Sequence, residues 1–303
     1  MDIERYESRM PLELRGHEML PPSSEWYPWR GHSVHVARAR NSRSAARLLA
    51  FHGAGGNVGM LWPMLGRLAA RGVDVTALDL PLYGDTVSPR PNAVRYGDWV
   101  SLATDFVADE RFGDGRPIVI IGASMGGMLA YETAQRTGEV AHVVATCLLD
   151  PSDPEAIAAA SRLPWVEHLP ARVLSAAGRA LGGVRIPVRW FAEARRMSRD
   201  PELTRACLGD PRGAGAALPL GYLTDFMTFD HWRPESATGT PVTLAHPAAD
   251  EWTPARLSVR FLQRIAAETH YVSLEKCGHF PVEQPGLAQL LSVVSDVLED
   301  AGA

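Results

Sequence analysis

Lysine is almost absent. Of the 30 basic residues in this 303-residue chain, only Lys276 is a lysine. No Gly-Lys-Ser/Thr is present, which excludes a P-loop, and Schiff-base chemistry would have to run through that one residue. Cysteine is as scarce: Cys147, Cys207 and Cys277 stand far apart with no C-x-x-C pair. Neither a disulfide framework nor a structural zinc site is expected from them. No apolar run reaches the roughly 18 residues of a membrane span. Residues 1–7, MDIERYE, lack the apolar stretch of a signal peptide. These absences point to a reducing, cytoplasmic setting without membrane insertion. Positive charge is not in excess either, with 30 basic against 35 acidic residues and a net charge of −5. Nucleic acid is therefore not an expected partner. What remains, 46% hydrophobic and 21% charged residues, is a globular composition. The length fits one large α/β domain, or a domain with an insertion.

Short apolar runs alternate with longer periodic stretches. Arg47–Phe51, Val73–Leu78, Pro117–Ile121, Val140–Leu149, Pro241–Ala245 and Tyr271–Leu274 read as strands. Most are apolar on both faces, as in a parallel sheet covered by helices. Ser33–Arg38 reads as an earlier antiparallel strand. Val58–Ala70, Tyr96–Asp109, Met125–Thr137, Pro254–Glu268 and Pro285–Leu298 carry apolar residues at helical spacing. The alternation predicts a doubly wound, mostly parallel sheet.

One interval breaks the rhythm. About 90 residues between Leu149 and Pro241 show no strand signal, and a structureless loop of that length is improbable. The stretch has helical patches at Val173–Leu181, Val188–Met197 and Leu220–Phe226. It also carries Trp165, Trp190, Phe191, Met197, Phe226, Met227 and Trp232. An inserted helical cap over residues 151–234 is expected, with residues 1–150 and 235–303 forming the core. Trp190 and Phe226 are candidate pocket residues, although such aromatics also pack a cap's own small core. Arg189, Arg195 and Arg196 could meet a substrate carboxylate, but arginines on a surface are common.

The chemistry concentrates at strand ends. Pro117–Ile121 runs into Gly122-Ala123-Ser124-Met125-Gly126-Gly127 and then a helix. This is G-x-S-x-G in the strand–turn–helix setting that the motif requires. Glycines two residues either side of Ser124 remove bulk from a turn sharp enough to lift the hydroxyl above the sheet. His52-Gly53-Ala54-Gly55-Gly56-Asn57 follows another strand. A glycine loop there suits a dinucleotide pyrophosphate, with Asp79 downstream, or an oxyanion. Val58 stands at the third glycine position, and Ser124 favours the oxyanion.

A histidine and an acid complete the set. His279 lies in Glu275-Lys276-Cys277-Gly278-His279-Phe280-Pro281, after the last strand. Asp250 follows the penultimate strand, just before Thr253-Pro254. It is preferred over Asp150 as the acid, though it could also serve as a helix cap.

With these residues in place, the chain resembles the α/β-hydrolase superfamily over nearly its whole length. The carrying motifs are HGAGG at 52–56, Asp79-Leu80-Pro81-Leu82-Tyr83-Gly84-Asp85, GASMGG at 122–127, Asp250 with Thr253-Pro254, and Gly278-His279-Phe280-Pro281 with Glu283 and Pro285. HGAG with SMGG is most similar to the monoacylglycerol-lipase and lysophospholipase branch. The resemblance implies a Ser124–Asp250–His279 triad, with backbone N–H groups of Ala54 and Met125 as the oxyanion hole. It implies a serine esterase; the triad chemistry needs no metal or organic cofactor, and the apolar, aromatic cap suggests a small, largely apolar substrate. There are departures. Ala123 stands where such lipases often carry His, and Pro247 replaces the usual glycine before the acid. SMGG and Lys276-Cys277-Gly278-His279 also resemble carbon–carbon hydrolases of ring cleavage, which favour Trp where this chain has Phe280. Haloalkane dehalogenases and epoxide hydrolases carry Asp where this chain has Ser124. Acyltransferases and thioesterases share the triad, and a hydrolase-fold binding protein without turnover is the reading from another class.

Overall fold

A computed structural model of the chain describes residues 1–12, 15, 18–162, 168–191 and 193–303, with the main chain alone at Phe191 and Ala194. Trp165 lies outside the described residues. Ten strands form among those described: β1 (Ser23–Trp29), β2 (His32–Ala39), β3 (Arg47–Phe51), β4 (Asp74–Leu78), β5 (Ile118–Gly122), β6 (Val140–Ala145), β7 (Arg185–Pro187), β8 (Ala217–Pro219), β9 (Val242–Pro247) and β10 (Thr269–Leu274). Eight make one sheet in the order β1-β2-β4-β3-β5-β6-β9-β10. The β1–β2 and β2–β4 pairs are antiparallel and the rest parallel. Every residue of β3, β4 and β5 is buried, which is why they read as largely apolar, although β4 also buries Asp74 and Thr76.

β1 was not expected. It contains Pro28 and is exposed at most positions. Proline within a strand costs the ladder a donor, but β1 sits at the sheet edge, where that loss is tolerated. The strand expected over Val140–Leu149 stops at Ala145. Beyond it the chain leaves the ladder, and Leu148 N–H donates instead to Ser258 Oγ at 3.0 Å.

Between β6 and β9 the chain forms helices at Pro154–Ala160, Ala171–Leu181, Pro201–Leu208 and Leu220–Thr228. The expected Val188–Met197 helix appears as two short turns, Val188–Phe191 and Ala194–Arg196. Contrary to the reading of that interval as strandless, β7 and β8 pair antiparallel within it. Each is three residues long and ends in proline, too little for a period-2 pattern to register. Helix Leu220–Thr228 reaches the core through Tyr222, whose ring packs on Trp99 at 5.1 Å and Tyr96 at 6.4 Å.

The register of the central strands sets the site. Phe51 lies opposite Gly122 and Gly122 opposite Ala145, while Leu274 lies opposite Pro247. The loops that begin at His52, Ala123, Ala248 and Glu275 therefore leave the sheet at its carboxyl edge, where α/β sheets build their sites.

Candidate active site

Ser124 occupies the turn between β5 and helix Met125–Thr137. Its backbone has φ 54° and ψ −124°, a region that non-glycine residues enter at a cost of about 1–3 kcal/mol. The two flanking glycines are dictated by close backbone. A Cβ on Gly122 would run into Gly126 O, and one on Gly126 would run into Phe51 O. The turn presents Ser124 Oγ to His279 Nε2 at 2.8 Å. On the other side of the ring, Nδ1 lies 2.8 Å from Asp250 Oδ2. A carboxylate can only accept, so Nδ1 carries the proton and Nε2 offers its lone pair to the hydroxyl.

Asp250 is buried and fully occupied. Its Oδ1 accepts N–H bonds from Trp252 at 2.8 Å and Thr253 at 2.9 Å, and its Oδ2 accepts the Thr253 hydroxyl at 2.8 Å. Burial pushes this carboxyl up, but the His279 ring and the hydrogen bonds from His279 and Thr253 outweigh it and hold the group at about 2. It is thus a carboxylate at neutral pH. Asp150, the alternative acid, is engaged elsewhere: Oδ2 accepts from Arg264 at 2.8 Å, and Oδ1 from Ser152 N–H and hydroxyl.

The Gly53 loop abuts the turn. A Cβ on Gly53 would sit 2.9 Å from Ser124 Cβ and 3.2 Å from Met125 N. Among the described residues, the N–H groups of Ala54 and Met125 donate no hydrogen bond, and Ala54 lines the cavity beside Ser124. His52 fixes the loop. Its Nδ1–H donates to Gly53 O at 2.8 Å while its Nε2 accepts Leu80 N–H at 3.0 Å. Burial lowers its pKa, so the ring is held neutral. Asp79 spends its carboxylate on protein groups, accepting from Val58 N–H, Asp85 N–H and His35. Among the described residues, His35, Asp79 and Asp85 are the one group placed like metal ligands. Asp85 is itself paired with Arg212 and the N-terminal amine, so this group pins the loop after β4.

The cavity beside Ser124 is small, about 30 Å³. Met197, Trp252, His279 and Phe280 help to close it. Trp252 and Met197 were not expected as pocket residues. Trp252 lies with its ring 4.6 Å from that of His279, and Met197 O accepts Phe280 N–H at 2.7 Å. The candidate pocket residues Trp190 and Phe226 do not line it. Trp190 is 60% exposed, and Phe226 packs against Tyr96 and His231. Aromatic content marked the segment but not the wall, because helix Leu220–Thr228 turns Phe226 onto the core. The three thiols are no rivals to Ser124, since burial pushes Cys147 up to about 11 and Cys207 and Cys277 to about 12.

Glu283 ties two distant segments together. Its Oε1 accepts the Ser198 hydroxyl at 2.8 Å and Arg199 N–H at 2.9 Å, while Oε2 accepts Gly278 N–H at 3.1 Å. Three donors thus converge on two carboxylate oxygens, next to His279. In Glu283→Gln, one oxygen becomes an NH2 that faces a donor. The expected result is about a tenfold fall in kcat and a lower Tm, from one unsatisfied group. Steady-state kinetics and thermal melts check this, and unchanged values would free the His279 loop from this tie.

A sequence model described as the alpha/beta hydrolase family matches residues 48–288. The chain belongs to that family. No curated protein sequence matches it. Solved structures do: the monoacylglycerol lipase of Paleococcus ferrophilus is 18% identical, with TM-score 0.67 over 91% of this chain and 99% of that one. A soluble variant of monoglyceride lipase from Saccharomyces cerevisiae is 14% identical, with TM-score 0.75 over 94% and 97%. Epoxide hydrolase A of Mycobacterium thermoresistibile is 17% identical, with TM-score 0.62 over 92% and 98%. Identities this low show a shared α/β-hydrolase fold. Among the described residues of this hydrolase-family chain, no helix is long and apolar enough to cross a membrane.

Proposed function

We propose that the protein is a serine hydrolase that cleaves a carboxylic ester or thioester of a small, largely apolar acyl group through an acyl-enzyme. The observation that carries this reading is the unbroken line Ser124 Oγ–His279 Nε2 and His279 Nδ1–Asp250 Oδ2, both at 2.8 Å. His279 takes the hydroxyl proton as Oγ attacks the acyl carbon. Asp250 holds the ring and stabilises the imidazolium. The N–H groups of Ala54 and Met125 receive the oxyanion, each such donor being worth about 3 kcal/mol of barrier. His279 then protonates the leaving group, and water resolves the ester. The lipase neighbours agree with this reading. Ser124, rather than a carboxylate, argues against the epoxide chemistry named for another neighbour.

In this reading residues 151–234 cap the site, with residues 1–150 and 235–303 as core. Two contacts support it: Met197 of the segment lines the cavity, and Tyr222 O–H donates to Met125 Sδ at 3.2 Å. A cavity this small must widen to admit an acyl chain, so the Met197 side bears on chain length. Met197→Ala is expected to raise kcat/KM for longer esters several-fold relative to acetate, whereas Trp190→Ala leaves that ratio alone. A chain-length series on both variants checks it, and a ratio moved by Trp190 instead would place the pocket elsewhere. The function itself is tested by a panel of nitrophenyl esters, monoacylglycerols, a thioester and a vinylogous diketone. Ester or thioester turnover is expected, and turnover of the diketone alone would overturn it.

A further inference from the structure

A groove of about 540 Å³ adjoins the catalytic cavity. Arg195, Arg196, Arg199 and Arg205 line it, with Glu251 the one carboxylate among its described lining residues. This local positive excess opposes the net charge of −5. Other arginines are neutralised by acids, as Arg260 is by Asp153 and Glu155. Among the described residues, none of the four groove arginines pairs with a carboxylate. Arg196 and Arg199 donate to the main-chain oxygens of Glu251 and Lys276, and Arg195 and Arg205 have no side-chain partner.

Chain neighbours on three segments form the wall between the groove and the cavity. Ser198, Glu251 and Gly278 face the groove, while their chain neighbours Met197, Trp252 and His279 face the cavity. A molecule with its acyl carbon at Ser124 can therefore extend its departing half over this wall, toward the arginines. Guanidinium forks match tetrahedral oxyanions and bind them bidentately. The forks of Arg195, Arg199 and Arg205 around one space exceed what a single carboxylate can fill.

Resting on the serine-hydrolase reading, we propose that the natural acyl donor carries phosphate on its leaving alcohol or thiol, held by Arg195, Arg199 and Arg205. The phosphate itself is not attacked. The Ser124 Oγ–acyl bond forms, the acyl–O or acyl–S bond breaks, and His279 passes the serine proton to the departing group.

The test compares one acyl chain on paired carriers: coenzyme A against pantetheine, and glycerol 3-phosphate against glycerol. At least one phosphate-bearing donor should exceed its phosphate-free partner in kcat/KM by about tenfold or more, the scale of one charge-assisted hydrogen bond. The pair that shows the gap tells a nucleotide carrier from a lipid headgroup. The gap should close in the Arg195→Ala/Arg199→Ala double variant and shrink with added salt. Partners within about twofold of each other, or a gap that survives the double variant, would overturn the proposal. If no donor turns over and a fluorophosphonate leaves Ser124 unlabelled, the serine-hydrolase reading fails by itself. Calorimetric titration with free coenzyme A and glycerol 3-phosphate then decides the groove. Binding lost in the double variant supports it, and absent or unaltered binding refutes it.

Discussion

Ser124→Ala is expected to lower kcat/KM for a nitrophenyl ester by at least about 10³-fold while leaving thermal unfolding nearly unchanged. The asymmetry follows from the turn. The hydroxyl makes one side-chain hydrogen bond, to His279 Nε2. The positive φ at this position comes from the backbone packing of Gly122 and Gly126, which alanine inherits. Removing Oγ therefore deletes the proposed nucleophile and little else. Residual rate would come from the proposed oxyanion donors and from binding. Kinetics with a matched melt check this, and a variant that kept most of its activity would require another nucleophile.

Asp250→Asn is expected to cost about 10⁴-fold in kcat, against no more than a few-fold for Asp150→Asn. The carboxamide introduced by Asp250→Asn can turn an N–H toward Nδ1, which selects the other imidazole tautomer. Nε2 then carries the proton and can no longer accept from Ser124. Asp150 instead pairs with Arg264, a residue 43% exposed at its side chain, where an ion pair is worth roughly 0–1 kcal/mol. Parallel kinetics on the two variants decide the ranking, and the reverse order would move the acid to Asp150. The depressed carboxyl adds a pH signature. Its contribution to stability is complete above the ordinary value of 3.8 and is lost as pH falls through about 2. The Tm difference between the parent and Asp250→Asn should narrow across that window.

The parts of the site carried by local motifs were legible before the fold. Gly122 and Gly126 announce a turn that only glycines allow, and the turn identifies Ser124. Asp250 and His279 are legible as short loops after late strands, and parallel register carries those loops to one edge. The buried strands were legible because both faces are apolar. What escaped was set by contacts between distant segments. Glu283 meets Ser198 and Arg199 some 85 positions away, and nothing in its own neighbourhood announces that. Trp252 reads as one aromatic among eight tryptophans until the loop after β9 lays it beside His279. Trp190 and Phe226 show the converse, since hydrophobic content says that a side chain packs or binds but not which way its helix turns. The short β7 and β8 pair and the edge strand β1 were missed because proline suppresses the local strand signal.

The central claim is that Ser124 is an activated nucleophile. Incubation with a fluorophosphonate, digestion and mass spectrometry of the peptides test it most directly, because an unactivated serine does not react. The expected result is one adduct, on the peptide that contains Ser124, absent from Ser124→Ala and strongly slowed in Asp250→Asn. An adduct on another residue, or none on protein that remains folded, would contradict the account.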